Sequence, residues 1–153
     1  MSAYHLGSII GEVLRVNIFG VNIAAGMVEW GFLLGAVAFI LNVILSSAGY
    51  RSIGFRTRDF LSSVISGPII EEIIFRLVLI SAFTIFFNSV LIAVIASSFL
   101  FAIGHILWGG FTFIDSFVDG LIWGWAFLTL GIGVPIIAHI LHNFLVFVTN
   151  SAK

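Results

Sequence analysis

The sequence predicts an all-α, polytopic bundle of about five membrane-spanning helices. Three observations carry that expectation. Charged residues make up 8% of the 153 and apolar residues 61%, where a soluble domain carries about 25% and about 45–50%. Mean hydropathy is +1.25. The apolar residues also fall into runs of membrane length, since ~30 Å of hydrocarbon at 1.5 Å per residue needs ~20 of them. Six basic and seven acidic side chains can neither cover a soluble surface nor build the basic stripe of a nucleic-acid binder. Lipid is therefore the expected surroundings, and no nucleic-acid partner is expected. Cysteine is absent, which excludes disulfides, thiolate nucleophiles and Cys-ligated zinc. The length suits a single domain, residues 1–153.

Residues 1–29 are ambiguous. His5, Glu12, Arg15, Asn17, Asn22 and Glu29 interrupt every apolar run. The segment reads as an interfacial amphipathic helix, with an extra span as the alternative. It lacks the basic start and clean apolar core of a signal peptide. The first span is Trp30 to Ala48, where Gly31 and Gly35 have the spacing that lets a neighbouring helix approach closely. A polar loop with Arg51, Arg56 and Arg58 follows. The second apolar stretch runs from Phe60 to Phe87 and the third from Val90 to about Trp108, after an Asn88-Ser89 turn. The fourth covers about Phe117 to Leu130, with Gly120 and Gly124 at close-packing spacing, and the fifth covers Pro135 to Val148. Arginine-rich loops stay in the cytoplasm. The Arg51–Arg58 loop and the C-terminus at Lys153 are thus expected inside and the Asn88 turn outside, in a multi-pass protein of the cell membrane.

Three charges break the second stretch, PIIEEIIFRLVLI: Glu71, Glu72 and Arg76. Unpaired at a helix centre they would cost roughly 8–10 kcal/mol together. Glu72 and Arg76 are four apart and can pair on one helix face; that pair reads as structural support. Glu71 is rotated by ~100° from Glu72 and has no local partner, which makes it the functional candidate. A helix starting at Pro68 would place both glutamates near its N-terminus, where the macrodipole favours negative charge. Alternatively the helix starts near Phe60 and kinks at Pro68.

His105 lies near the inner end of the third stretch; His139, His142 and Asn143 lie in the fifth. His139 and Asn143 share a face. Apart from Asn42 in the first span, the first and fourth helices lack such groups at their centres. A polar pocket is therefore expected between the second, third and fifth helices, with His142 as packing or lining. Asp115 and Asp119 read as solvated charges at the entry to the fourth helix. Such a pocket could hydrolyse a bond, with a carboxylate taking a proton from water, an imidazole orienting that water, and N–H groups meeting a developing oxyanion. One glutamate and two histidines (Glu71, His105, His139) could equally hold Zn²⁺, although no H-E-x-x-H is present.

The motifs E-E-x-x-x-R (Glu71 to Arg76), F-x-x-x-H (Phe101 to His105) and H-x-x-x-N (His139 to Asn143) occur in that order on apolar segments. Together they resemble the CPBP family of intramembrane proteases, the CAAX proteases and bacteriocin-processing enzymes also called Abi. The resemblance covers about residues 60–148, the expected catalytic core. It implies that Glu71 activates water, that His105 assists, and that His139 and Asn143 stabilise the oxyanion, with Glu72 and Arg76 in support. It implies an endopeptidase acting without a cofactor, on a membrane-associated peptide or a lipidated protein. Zinc is the alternative cofactor, and a homo-oligomer could complete the substrate walls. Two other functions compete. One is a noncatalytic immunity or binding protein on the same scaffold. The other is a proton-coupled transporter, against which the lack of paired broken helices argues.

Overall fold

A computed structural model describes residues 23–47, 60–106 and 110–151. They form five helices, with no strand among the described residues. The all-α bundle is as expected. Helix α1 is Ile23–Ser47; α2 covers residues 60–87; α3 is Val90–His105; α4 is Gly110–Leu130; α5 is Gly133–Ser151. Segment 1–22 and the arginine loop lie outside the described residues, and with them the interfacial-helix reading. Helix α1 starts seven residues before the expected Trp30 and runs through Glu29. That carboxylate is exposed, so nothing about it stops a helix.

The stretches Gly26–Leu45 in α1 and Thr112–Leu130 in α4 are long and apolar enough to cross a membrane; α3 and α5 are shorter apolar helices. Large apolar side chains point outward, among them Phe32, Ile40 and Ile44 on α1 and Leu91, Ile95 and Phe99 on α3. A water-soluble monomer rarely leaves so much apolar surface uncovered, and lipid covers it at no hydrophobic penalty.

Two glycine pairs set the packing. Helix α1 lies along α5, and α3 along α4. A Cβ on Gly35 would stand 2.6 Å from the Ala138 carbonyl oxygen, and one on Gly31 would stand 2.5 Å from Ile137. Gly120 and Gly124 meet Ser98 and Val94 in the same way, at 2.8 and 2.9 Å. Both small-residue spacings seen in the sequence are thus helix contacts. Between them sits a core of Ala38, Phe101, Trp123 and Ala138; a second core gathers Ile80, Ala93, Val94 and Phe127.

Helix α2 is continuous through Pro68, so the proline does not start it. Its turns widen to i→i+5 bonding at Leu61–Ser66 and again at Ile73–Ile80. The first wide stretch absorbs the proline. The Gly67 N–H bonds back to the Ser62 carbonyl, and Pro68 has no N–H to continue the series. The Ser63 carbonyl is left over. The side chain of Asn143, on α5, donates to it at 2.9 Å. At its far end α2 stops at Asn88, which is left-handed at φ 52°. Ser89 then caps α3 by accepting from the Ile92 N–H at 3.4 Å. Gly131, at φ 87°, turns α4 into α5 in a conformation that glycine adopts without strain.

Candidate active site

The three motifs meet where α2, α3 and α5 converge. Glu72 is fully buried and both its oxygens are engaged. Arg76 Nε donates to Oε2 at 2.8 Å, and His139 Nδ1 lies 3.0 Å from Oε1. The i,i+4 pair expected from spacing is present and reaches across to α5. The rest of the guanidinium lies over the Phe101 ring, 5.0 Å from its centroid, a cation–π contact that helps a buried arginine.

Glu71 faces the other way, with its side chain 35% exposed. Its Oε2 is 3.8 Å from His139 Nε2 and 3.9 Å from His105 Nε2. These separations are too long for direct hydrogen bonds and suit a bridging water. The ring tautomers follow from the opposite nitrogens. His105 Nδ1 lies 2.8 Å from the Phe101 carbonyl oxygen, which can only accept, so Nδ1 carries the proton. His139 Nδ1 likewise donates to Glu72. In their neutral forms both rings therefore turn an unprotonated Nε2 toward Glu71.

Trp123 of α4 backs the pocket. Its ring lies 4.4 Å from the His139 ring, centroid to centroid, and is tilted by 30°. Sequence reasoning missed it; a tryptophan in the middle of a span, away from the interface where tryptophans gather, was the available signal. The second wide stretch of α2 also belongs to this wall, where Ser97 on α3 donates to the Phe75 carbonyl at 2.6 Å.

The six candidate residues are thus distributed as follows. Glu71, His105 and His139 surround one point. Glu72 and Arg76 hold His139 from behind. Asn143 joins α5 to α2 through Ser63, using one amide hydrogen and leaving the other. Glu71 Oε2 and the two imidazole Nε2 atoms form an open arrangement. Among the described residues, three donor atoms all within 4.8 Å of one another occur instead at Asp115, Asp119 and His142.

That last group corrects the sequence reading. Asp115 and Asp119 are not solvated edge charges: they are 7% and 2% exposed, and His142 is 6% exposed. Helix α4 begins at Gly110 rather than near Phe117, which carries both aspartates into the bundle. The Asn42 amide, on α1, donates to Asp115 at 2.5 Å, and His142 Nδ1 lies 2.9 Å from Asp119 Oδ2. The i,i+4 spacing of the two aspartates was the signal that could have shown a shared, inward face.

The fold and pocket define a class, that of membrane-embedded helical bundles with an ionisable site between their helices. The chain belongs to the type II CAAX prenyl endopeptidase Rce1-like family, whose model matches residues 30–145. It is a family of membrane proteases. The chain is also similar to the sporulation-killing factor biosynthesis protein SkfC of Bacillus subtilis (strain 168), at 29% identity over 137 residues. The alignment covers 80% of this chain and 27% of SkfC, so the chain spans about a quarter of that relative's length. No solved structure matches it.

Proposed function

We propose that the protein is an intramembrane endopeptidase of the glutamate type, in which Glu71 deprotonates a water that attacks a peptide carbonyl. The observation that carries this reading is the placing of Glu71 Oε2 3.8 and 3.9 Å from two imidazole Nε2 atoms that come from different helices. A water there donates one hydrogen to Glu71 and the other to His105. Its lone pair is then free for the carbonyl carbon. As the C–O bond forms, the first hydrogen passes to Glu71 as a proton, and Glu71 returns it to the leaving amine when the C–N bond breaks. The remaining amide hydrogen of Asn143 is the donor for the developing oxyanion. His139 adds a second donor at Nε2 when it is doubly protonated, held in place by Glu72 and Arg76.

The pocket works without a metal in this proposal. The zinc reading would require the donors of Glu71, His105 and His139 to close around an ion at bonds of about 2.0–2.2 Å. The substrate is a membrane-associated peptide or a lipidated protein, cut near the cytoplasmic leaflet. Similarity to a protein named for the biosynthesis of a killing factor supports a peptide-maturing role.

The test compares protein N-termini in membranes of cells making the wild type, Glu71→Gln or His105→Ala. New termini present only with the wild type are expected, with both variants accumulating in the membrane at wild-type levels. Termini that persist in both variants would overturn the proposal and favour the noncatalytic reading. A metal ion bound by the wild type and lost in Glu71→Gln would favour zinc.

A further inference from the structure

We propose that Asp115, Asp119 and His142 form a binding site for one divalent transition-metal cation, separate from the Glu71 pocket. The site lies between α4 and α5, with Asn42 of α1 behind it. Asp115 and Asp119 stand one turn apart on the same face of α4. His142 enters from α5, one turn beyond His139.

Three observations point to a ligand. The first is convergence: one donor atom from each of the three residues lies within 4.8 Å of the other two, and all three side chains are buried. The second is orphaned atoms. Asp115 Oδ1 and Asp119 Oδ1 are each buried without a hydrogen-bond partner, and buried polar atoms are otherwise almost always satisfied. The third is the His142–Asp119 contact, a close approach of 2.9 Å in which Nδ1 makes no hydrogen bond of acceptable geometry. Two ligands of one ion approach each other in that way.

Charge leads to the same place. Two buried carboxylates face one imidazole, which can neutralise at most one of them, and the Asn42 amide is neutral. A dication neutralises both and takes up the orphaned atoms. Two carboxylates with one imidazole are a mixed hard and borderline set that suits Mn²⁺ or Zn²⁺, with water completing the sphere. Asn42, bonded to Asp115, is the outer partner that orients a ligand. Trp123 stands between the two sites. Its ring is 4.4 Å from that of His139 and 5.9 Å from that of His142.

The experiment uses the purified full chain in lipid nanodiscs, stripped with a chelator and titrated with Mn²⁺. Binding is counted by electron paramagnetic resonance, and pulsed measurements count the nitrogens bound to the ion. We expect one Mn²⁺ per chain with a single directly bound nitrogen, displaced by Zn²⁺, in both the wild type and Glu71→Gln. Asp115→Asn combined with Asp119→Asn abolishes saturable binding, and Asn42→Ala weakens it by about 10–100-fold. The idea is overturned if the wild type binds no ion. It is equally overturned if binding survives the double substitution, or if the ion carries two nitrogens and is lost in Glu71→Gln. The nitrogen count is read on the unsubstituted site, so it decides even if the double variant does not fold. This site stands apart from the protease reading: loss of cleavage with intact Mn²⁺ binding, or the reverse, separates the two.

Discussion

Glu71 and Glu72 are neighbours in sequence with opposite duties. Glu72 is sealed between Arg76 and His139, so replacing it strands a buried guanidinium. Glu72→Ala is expected to cost about 3–5 kcal/mol of stability, the usual result of breaking a buried ion pair from one side, as measured by chemical unfolding in detergent. Glu71 is a third exposed and makes no direct hydrogen bond, so Glu71→Gln is expected to stay within about 0.5 kcal/mol of the wild type while cleavage is lost. The difference between the two was partly legible in sequence. Spacing by four gave Glu72 its arginine and left Glu71 alone. What spacing within one helix could not show is the third partner. His139 comes from a segment 67 residues away, and only packing brings its Nδ1 to Glu72.

At the scale of the helix, Pro68 and Asn143 belong together. The proline was visible as a break in α2 and the asparagine as a motif position, yet their link runs through a backbone carbonyl that no sequence pattern marks. Pro68→Ala restores an N–H that can reach Ser63. Asn143→Ala is therefore expected to cost about 1 kcal/mol in the wild type and markedly less in the Pro68→Ala background, which a double-mutant cycle measures. The glycines were easier to read, because close approach needs small residues at fixed spacing and nothing else. Gly35→Val would drive its side chain into the Ala138 carbonyl; a loss of about 1–3 kcal/mol is expected, seen as a lower melting temperature in detergent. Helix ends were read less well. Glu29 and Asp115 read as boundaries because they are charged, but one simply points outward and the other is received inside by Asn42. A charge ends a helix only when the surroundings offer it nothing.

For the whole molecule, composition was enough to identify a lipid-embedded helical bundle, since too few charges exist to wet its outside. Orientation rests on the arginines of one loop. The chain contains no cysteine, so a single introduced thiol is an unambiguous reporter. Lys153→Cys is expected to react with an impermeant maleimide only after the membrane is opened from the cytosolic side, and Phe87→Cys from the outer side without opening. The reverse pattern would invert the topology and move the site to the opposite leaflet. The order of motifs along the chain made the convergence of α2, α3 and α5 legible. The Asp115 cluster was not, because its members come from helices that no motif or spacing links.

The tautomers at the Glu71 pocket have a consequence for inhibitor chemistry. Each imidazole has its Nδ1 hydrogen committed to a protein acceptor, so while both rings are neutral three lone-pair-bearing atoms look inward. Visitors that bring their own hydrogens, such as protonated amines and amidines, are welcomed there. Phosphinates and carboxylates, the usual mimics aimed at zinc peptidases, face the Glu71 carboxylate and find donors only at the Asn143 amide and at His139 when it is doubly protonated. Competition of the two compound classes against a cleavable peptide is expected to rank the amidines first.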